Sequence, residues 1–141
     1  MNDDLYRIVY CSRNLIDDTA SQDTELVRIL GAAQTNNSAR NVTGALLFNL
    51  EYFAQVLEGP RTSVEEIFER IQRDRRHGQI TVVENGSAET RAFPDWAMAH
   101  VQPATETQDE GLAKTLSLAL IKPHESGTAV LDLLKSLVVQ D

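Results

Sequence analysis

The sequence predicts an α+β fold, and three observations carry that reading. Strand-like and helix-like stretches follow one another in the order β-α-β-β-α-β, with one more strand behind them. The first strand is apolar on both of its faces, so the sheet it joins must be covered on both sides. Beyond Pro103, two further amphipathic stretches supply the second cover.

Leu5-Tyr6-Arg7-Ile8-Val9-Tyr10-Cys11 is β-branched and aromatic and reads as the first strand. Alternation puts Tyr6, Ile8 and Tyr10 on one face and Leu5, Val9 and Cys11 on the other. A loop follows in which Thr19, Ser21 and Asp23 are candidate helix caps. Leu26, Ile29, Leu30 and Ala33 then recur at helical spacing, and the turn-rich Asn36-Asn37-Ser38 is expected to stop that helix. Val42 to Phe48 and Tyr52 to Leu57 read as a hairpin, ended by Gly59-Pro60. Thr62 or Ser63 can cap a second helix, with Glu65 and Glu66 in its first turn and Val64, Ile67, Phe68 and Ile71 on its apolar face. Gln79 to Glu84 is a fourth strand closed by Asn85-Gly86, and Trp96 to Val101 a fifth. This order suggests a ferredoxin-like split βαβ sheet with an added strand. Right-handed crossovers place both helices on one face. Leu112, Leu116 and Ala119, then Val130, Leu133, Leu134 and Leu137, define two C-terminal helices separated by Pro123 and Gly127. Residues 1–101 are thus expected to form the domain, with 102–141 a helical cap too short to be an independent output domain.

The chain of 141 residues is the size of one domain. No run approaches the ~20 apolar residues of a membrane span, and the acidic Met-Asn-Asp-Asp start lacks a secretory pattern. The single cysteine excludes an internal disulfide and fits a reducing cytoplasm. With a formal net charge of −8, nucleic acid is an unfavourable partner.

Glycine-rich dinucleotide fingerprints, phosphate loops and metal-ligand spacings are all absent from the sequence. His77, His100 and His124 lie far apart, and Cys11 has no base beside it. Hydrolytic chemistry therefore has little support, and no metal site is expected. What remains is a set of inward-facing polar groups. Gln55 stands between Phe53 and Leu57 on one face of a buried strand, where its amide needs partners for donor and acceptor alike. Tyr10 ends the first strand on the helix-covered face, and Asn36-Asn37 closes the first helix. A planar ligand with amide-like edges would satisfy these groups together. Mutual satisfaction of Tyr10 and Gln55, with Asn36-Asn37 as a plain helix stop, accounts for the same residues without a ligand.

Five segments resemble the BLUF family, blue-light sensors using FAD. They are Tyr6-Arg7-Ile8-Val9-Tyr10-Cys11-Ser12; Asn36-Asn37 with Val42-Thr43-Gly44; Phe53-Ala54-Gln55-Val56-Leu57-Glu58-Gly59-Pro60; Arg70-Ile71 with Asp74-Arg75-Arg76-His77; and Phe93-Pro94-Asp95-Trp96-Ala97-Met98. Each is weak alone, but their order and spacing over residues 5 to 101 are specific. The resemblance makes 1–101 a BLUF flavin-binding domain with FAD as its cofactor. It implies that Tyr10 is the electron and proton donor to the excited flavin and Gln55 the switching glutamine at the N5/C4=O edge. It implies that Asn37, with Asn36 beside it, holds the O4/N3 edge, that Arg70 lies near O2, and that Ile29 and Ile71 pack the ring. Arg76 and His77 would meet the ribityl-phosphate region, a solvated helix end being the alternative. Trp96 and Met98 match the family's fifth-strand relay. Two departures stand out: Asn41, where related sequences often have glycine, and Ala54, small beside the glutamine and facing away from the flavin.

By the same resemblance the cycle ends with Gln55 rotated or tautomerised and no net chemistry. The output is expected to pass to a separate effector, such as a cyclic-di-nucleotide phosphodiesterase or a response-regulator-like protein, or to a change in a homo-oligomer. An acylphosphatase-like enzyme on the same fold would need an arginine-bearing phosphate loop, for which Ser12-Arg13-Asn14-Leu15 is a poor candidate. A cofactor-free interaction module is the remaining class.

Overall fold

A computed structural model describes residues 5–16, 22–48, 51–94, 99–101 and 106–137. Their elements in chain order are β1 (Leu5–Asn14), α1 (Gln22–Ala39), β2 (Thr43–Phe48), β3 (Tyr52–Pro60), α2 (Arg61–Gln72), β4 (His77–Ser87), β5 (Ala99–Val101), α3 (Glu106–Ile121) and α4 (Gly127–Leu137). A 3-10 turn at Pro123–Glu125 separates the last two. The sheet runs β4-β1-β3-β2-β5, the first four strands antiparallel to their neighbours and β5 parallel to β2. This is the split βαβ arrangement with an added edge strand.

The alternation expected of β1 is realised. Tyr6 and Ile8 pack with Leu46, Phe53, Leu57, Val64 and Ile67 on the side of α1 and α2. Val9 and Cys11 pack with Ala45, Ala54 and Val56 against Leu112, Leu116, Ala119, Val130 and Leu134 of α3 and α4. Ala54 faces that second core, as its parity requires.

Several boundaries differ from those read off the sequence. Asn36 and Asn37 do not stop α1, which continues to Ala39. Asn41 does so instead, at φ 59. Val42 N–H bonds to Asn37 C=O at 2.9 Å and Asn41 N–H to Ser38 C=O at 3.4 Å, the paired bonds of a Schellman ending. Helix α2 begins at Arg61 after Pro60, without a side-chain cap from Thr62 or Ser63. β4 starts at His77 and runs through Asn85-Gly86 to Ser87, because β1 is long enough to pair with all of it. The candidate caps Thr19 and Ser21, and the first part of the expected fifth strand, including Trp96 and Met98, lie outside the described residues.

One close approach explains a glycine. A Cβ on Gly44 of β2 would sit 1.9 Å from the Val56 carbonyl oxygen of β3. Only a hydrogen at that position lets the two strands pair at this spacing.

Candidate functional site

Between α1, α2 and the sheet lies a cavity of about 240 Å³. That exceeds the ~150 Å³ that admits benzene, so part of a fused ring system can enter. Its apolar walls come from Ile29, Ala32 and Ala33 on α1, Ile67 and Ile71 on α2, and Leu46 and Phe53 on the sheet. Tyr10, Asn37 and Gln55 give it a buried polar side, and Asn36, Arg70, Asp74, Arg76 and His77 complete it. All nine cavity-type candidates from the sequence therefore stand around one space. α1 brings its share there because residues 29, 33, 36 and 37 recur at helical spacing.

Tyr10 and Gln55 face each other across the β1–β3 ladder, where they are register partners. The phenol O–H donates a hydrogen bond to Gln55 Oε1, and both side chains are buried. Burial above all, then the charge of Asp74 and the nearby Cys11 thiol, pushes the Tyr10 phenol well above its ordinary range. Tyr10 is held as the neutral phenol. Phe68 packs on its ring at 5.4 Å between centroids.

His77 is fixed on two sides. Its Nδ1 is 2.7 Å from Ser12 Oγ and its Nε2 is 2.8 Å from the Ile71 carbonyl oxygen. A carbonyl only accepts, so Nε2 carries a proton. The ring stands edge-on to Tyr10 and Phe53 at 6.1 and 5.8 Å. Both ring nitrogens of His77 are thus engaged by neighbouring groups of the chain. Arg76 is also committed. Its guanidinium bonds Asp74 at 2.5 and 2.9 Å and reaches Glu25 of α1 at 3.1 Å. The hydrogen bonds from Arg76 hold the Asp74 carboxyl below the usual carboxylate range. Arg70, by contrast, is exposed where it lines the cavity.

Ala32, Ala33, Leu46, Phe53, Ile67 and Asp74 line the cavity without having been singled out as contacts in the sequence. Their signal was periodicity: Ala33 follows Ile29 by one turn, Ile67 precedes Ile71 by one turn, and Phe53 shares the Gln55 face.

Comparison with known proteins gives a consistent result. The family model for BLUF, "Sensors of blue-light using FAD", matches residues 5–99. The chain is 36% identical over 89 residues to the blue light- and temperature-regulated antirepressor BluF of Escherichia coli, covering 63% of this chain and 21% of that protein. It is 33% identical over 75 residues to the photoactivated adenylate cyclase subunit beta of Euglena gracilis, covering 52% of this chain but only 9% of that protein. Among solved structures, BlsA in its ground state superposes with a TM-score of 0.80 at 27% identity, covering 97% of this chain and 91% of BlsA. The BLUF protein BlrB in its dark state gives 0.72 at 28% identity, covering 97% and 96%.

The cavity's chemistry suits FAD. The flavin ring has flat apolar faces and a rim of carbonyl and imide groups. Ile29 and Ile71 offer aliphatic surface, and the carboxamides of Asn37 and Gln55 with the Tyr10 phenol offer a donor–acceptor set for such a rim.

Proposed function

Because the chain belongs to the BLUF family, the sensors of blue light that use FAD, we propose that Tyr10 and Gln55 are its light-operated switch and that its output passes to a partner protein or a self-association interface. The observation that carries this reading is the buried hydrogen bond from the Tyr10 phenol to Gln55 Oε1 on the cavity wall.

Bound FAD supplies blue-light absorption and an excited state that takes up an electron. Asn37, Gln55 and Arg70 are the residues proposed to hold its polar rim, with Ile29 and Ile71 against its faces. Asn36 stands beside Asn37 as a further contact. Tyr10 is the electron donor. Burial makes any charged form of this side chain costly, so its proton has to leave with the electron. The acceptor in line is Gln55 Oε1. When the electron and proton return, the amide of Gln55 is left in its alternative arrangement, with its donor and acceptor ends exchanged. Trading one or two buried hydrogen bonds is worth roughly 1–3 kcal/mol. That shifts a two-state equilibrium about 5- to 150-fold, enough for a signal.

Trp96 and Met98 are proposed to relay the change, since their segment Phe93-Pro94-Asp95-Trp96-Ala97-Met98 matches the family's fifth-strand relay in sequence. β5 lies beside β2, which in turn pairs with β3, the strand carrying Gln55. The effector is inferred by analogy. The E. coli relative is an antirepressor and the Euglena relative a cyclase subunit. BlrP1 of Klebsiella pneumoniae, 27% identical with a TM-score of 0.65 over 28% of its length, was solved in complex with cyclic di-GMP. A separate effector, of the phosphodiesterase or response-regulator kind, or a homo-oligomer that changes in light, is the output this analogy favours. Among the described residues no helix is long and apolar enough to cross a membrane.

Purified protein is expected to be yellow, with a flavin absorption that moves to the red under blue light and recovers in darkness. Tyr10→Phe and Gln55→Leu should each keep the flavin and abolish the shift. Normal photoswitching in either variant would refute the assignment while leaving the family intact.

A further inference from the structure

On the opposite face of β3 from Gln55, the carboxylate of Glu58 is completely buried and fully engaged. Arg7 of β1 reaches it through Nε at 2.8 Å and Nη2 at 2.7 Å. The backbone N–H groups of Ala92 and Phe93 donate to its two oxygens at 2.8 and 2.9 Å. Arg7 also donates to the Thr90 carbonyl at 2.9 Å, so the guanidinium and the carboxylate grip the same short segment. Arg91 adds bonds to the Asn41 carbonyl at 2.9 Å and Thr43 Oγ1 at 2.8 Å. Phe93 itself is buried in the core beneath α3 and α4. Residues 90–93 are thus tied to β1, β2 and β3 at once.

A buried carboxylate has a large desolvation cost and needs this many partners to be tolerated. An apolar side chain would fill the space at no such cost. What the ion pair adds is geometry, because a planar guanidinium with fixed donor directions and a planar carboxylate with fixed acceptor directions define the position of the segment relative to β3. That segment is the last described part of the chain before it enters β5.

We propose that Glu58 is a positioning residue for the output side of the light switch. Held by Arg7 and the amides of Ala92 and Phe93, it makes β3 and the chain entering β5 shift as one body. A displacement of β3 that accompanies rearrangement of Gln55 is thereby delivered to β5. The proposal rests on the Tyr10–Gln55 reading above, and its test separates the two.

The experiment uses the full FAD-loaded chain and its Glu58→Gln variant, which keeps the shape and loses the charge. Two quantities are measured in darkness and under blue light: the flavin red shift, and hydrogen exchange of backbone amides over residues 90–101. In Glu58→Gln the red shift should remain within about a tenth of wild type, because the Tyr10–Gln55 pair is untouched. Dark-state exchange at Ala92 and Phe93 should quicken about 10- to 100-fold, as expected for loss of a charge-assisted bond. The light-minus-dark difference at Ala99–Val101 should fall at least about threefold. A merely structural role would not move that last quantity once flavin binding and the red shift are normal. The same full difference in the variant as in wild type overturns the proposal. If Glu58→Gln does not retain flavin, Arg7→Gln is judged by the same criteria. If neither variant retains flavin, Glu58 is a folding determinant and the proposal fails. Absence of a red shift in the wild type would instead count against the Tyr10–Gln55 reading.

Discussion

Cys11 follows Tyr10 in β1 but points to the opposite core, where it is fully buried. The environment of the two residues is alike in one respect: both disfavour an anion. Burial pushes the Cys11 thiol from its ordinary 9.0 up to about 11. Between these values the folded protein keeps a proton that the unfolded chain releases, so stability is full below pH 9.0 and declines as pH rises toward 11. Urea unfolding at a series of alkaline pH values should show this slope in wild type and a shallower one in Cys11→Ala. An equal slope in both would mean that the thiol is not the responsible group. Asp74 works in the opposite direction. Its carboxyl is held below 3.8, chiefly by the Arg76 hydrogen bonds, so its contribution is present above that value and is lost as pH falls through its lowered range. Asp74→Asn should therefore flatten the acid limb of stability, read as a urea midpoint that falls less than in wild type as pH drops below 3.8; an equal fall in both would mean that this carboxyl is not responsible.

At the scale of elements, the tightest requirement lies between β2 and β3. Gly44→Ala would drive a methyl group into the Val56 carbonyl. Separation of the two strands is expected to cost about 1–3 kcal/mol or more, read as a lowered urea midpoint. Since Gln55 pairs with Leu46 of β2 in the same ladder, flavin affinity should fall as well. A variant with unchanged midpoint and affinity would mean that the strands can re-pair around the methyl. Gly44 illustrates what was legible in the sequence. Its motif could be recognised, but the reason for glycine was a backbone contact between strands that no linear spacing reveals. The faces of β1 and β3 were readable because a period of two sorts buried from buried even when both sets are apolar. The end of α1 was not. Asn36 and Asn37 carry the chemistry of a helix stop, yet Asn37 is needed at a buried place on the cavity wall. The stop is moved one turn on to Asn41, whose tolerance of a left-handed backbone was visible in the sequence without its role as the cap. Glu58 was hidden for a different reason. Its partners Arg7, Ala92 and Phe93 are far away along the chain, and a lone glutamate in a strand gives no sign of burial.

At the scale of the whole molecule, the sheet has an apolar layer on each side, and α3 and α4 cover the one that does not hold the cavity. Leu112, Leu116, Val130 and Leu134 share a core with Val9, Cys11, Ala45, Ala54 and Val56. Two amphipathic helices with this contact have little reason to fold without the sheet, and the sheet cannot leave that face bare. We therefore expect the cap and the flavin site to unfold together. Leu134→Ala, at a fully buried position, should cost about 2–5 kcal/mol. In the full FAD-loaded chain, helical circular dichroism and bound-flavin absorbance should be lost at one shared, lowered urea midpoint. Were the cap an independent unit, the variant would lose helical signal first and keep its flavin to the wild-type midpoint. Joint loss has a functional corollary. A light-driven change on the cavity side and the surface of α3 and α4 on the other would then belong to one cooperative body, and a partner docked on those helices would be within reach of the switch through the shared core.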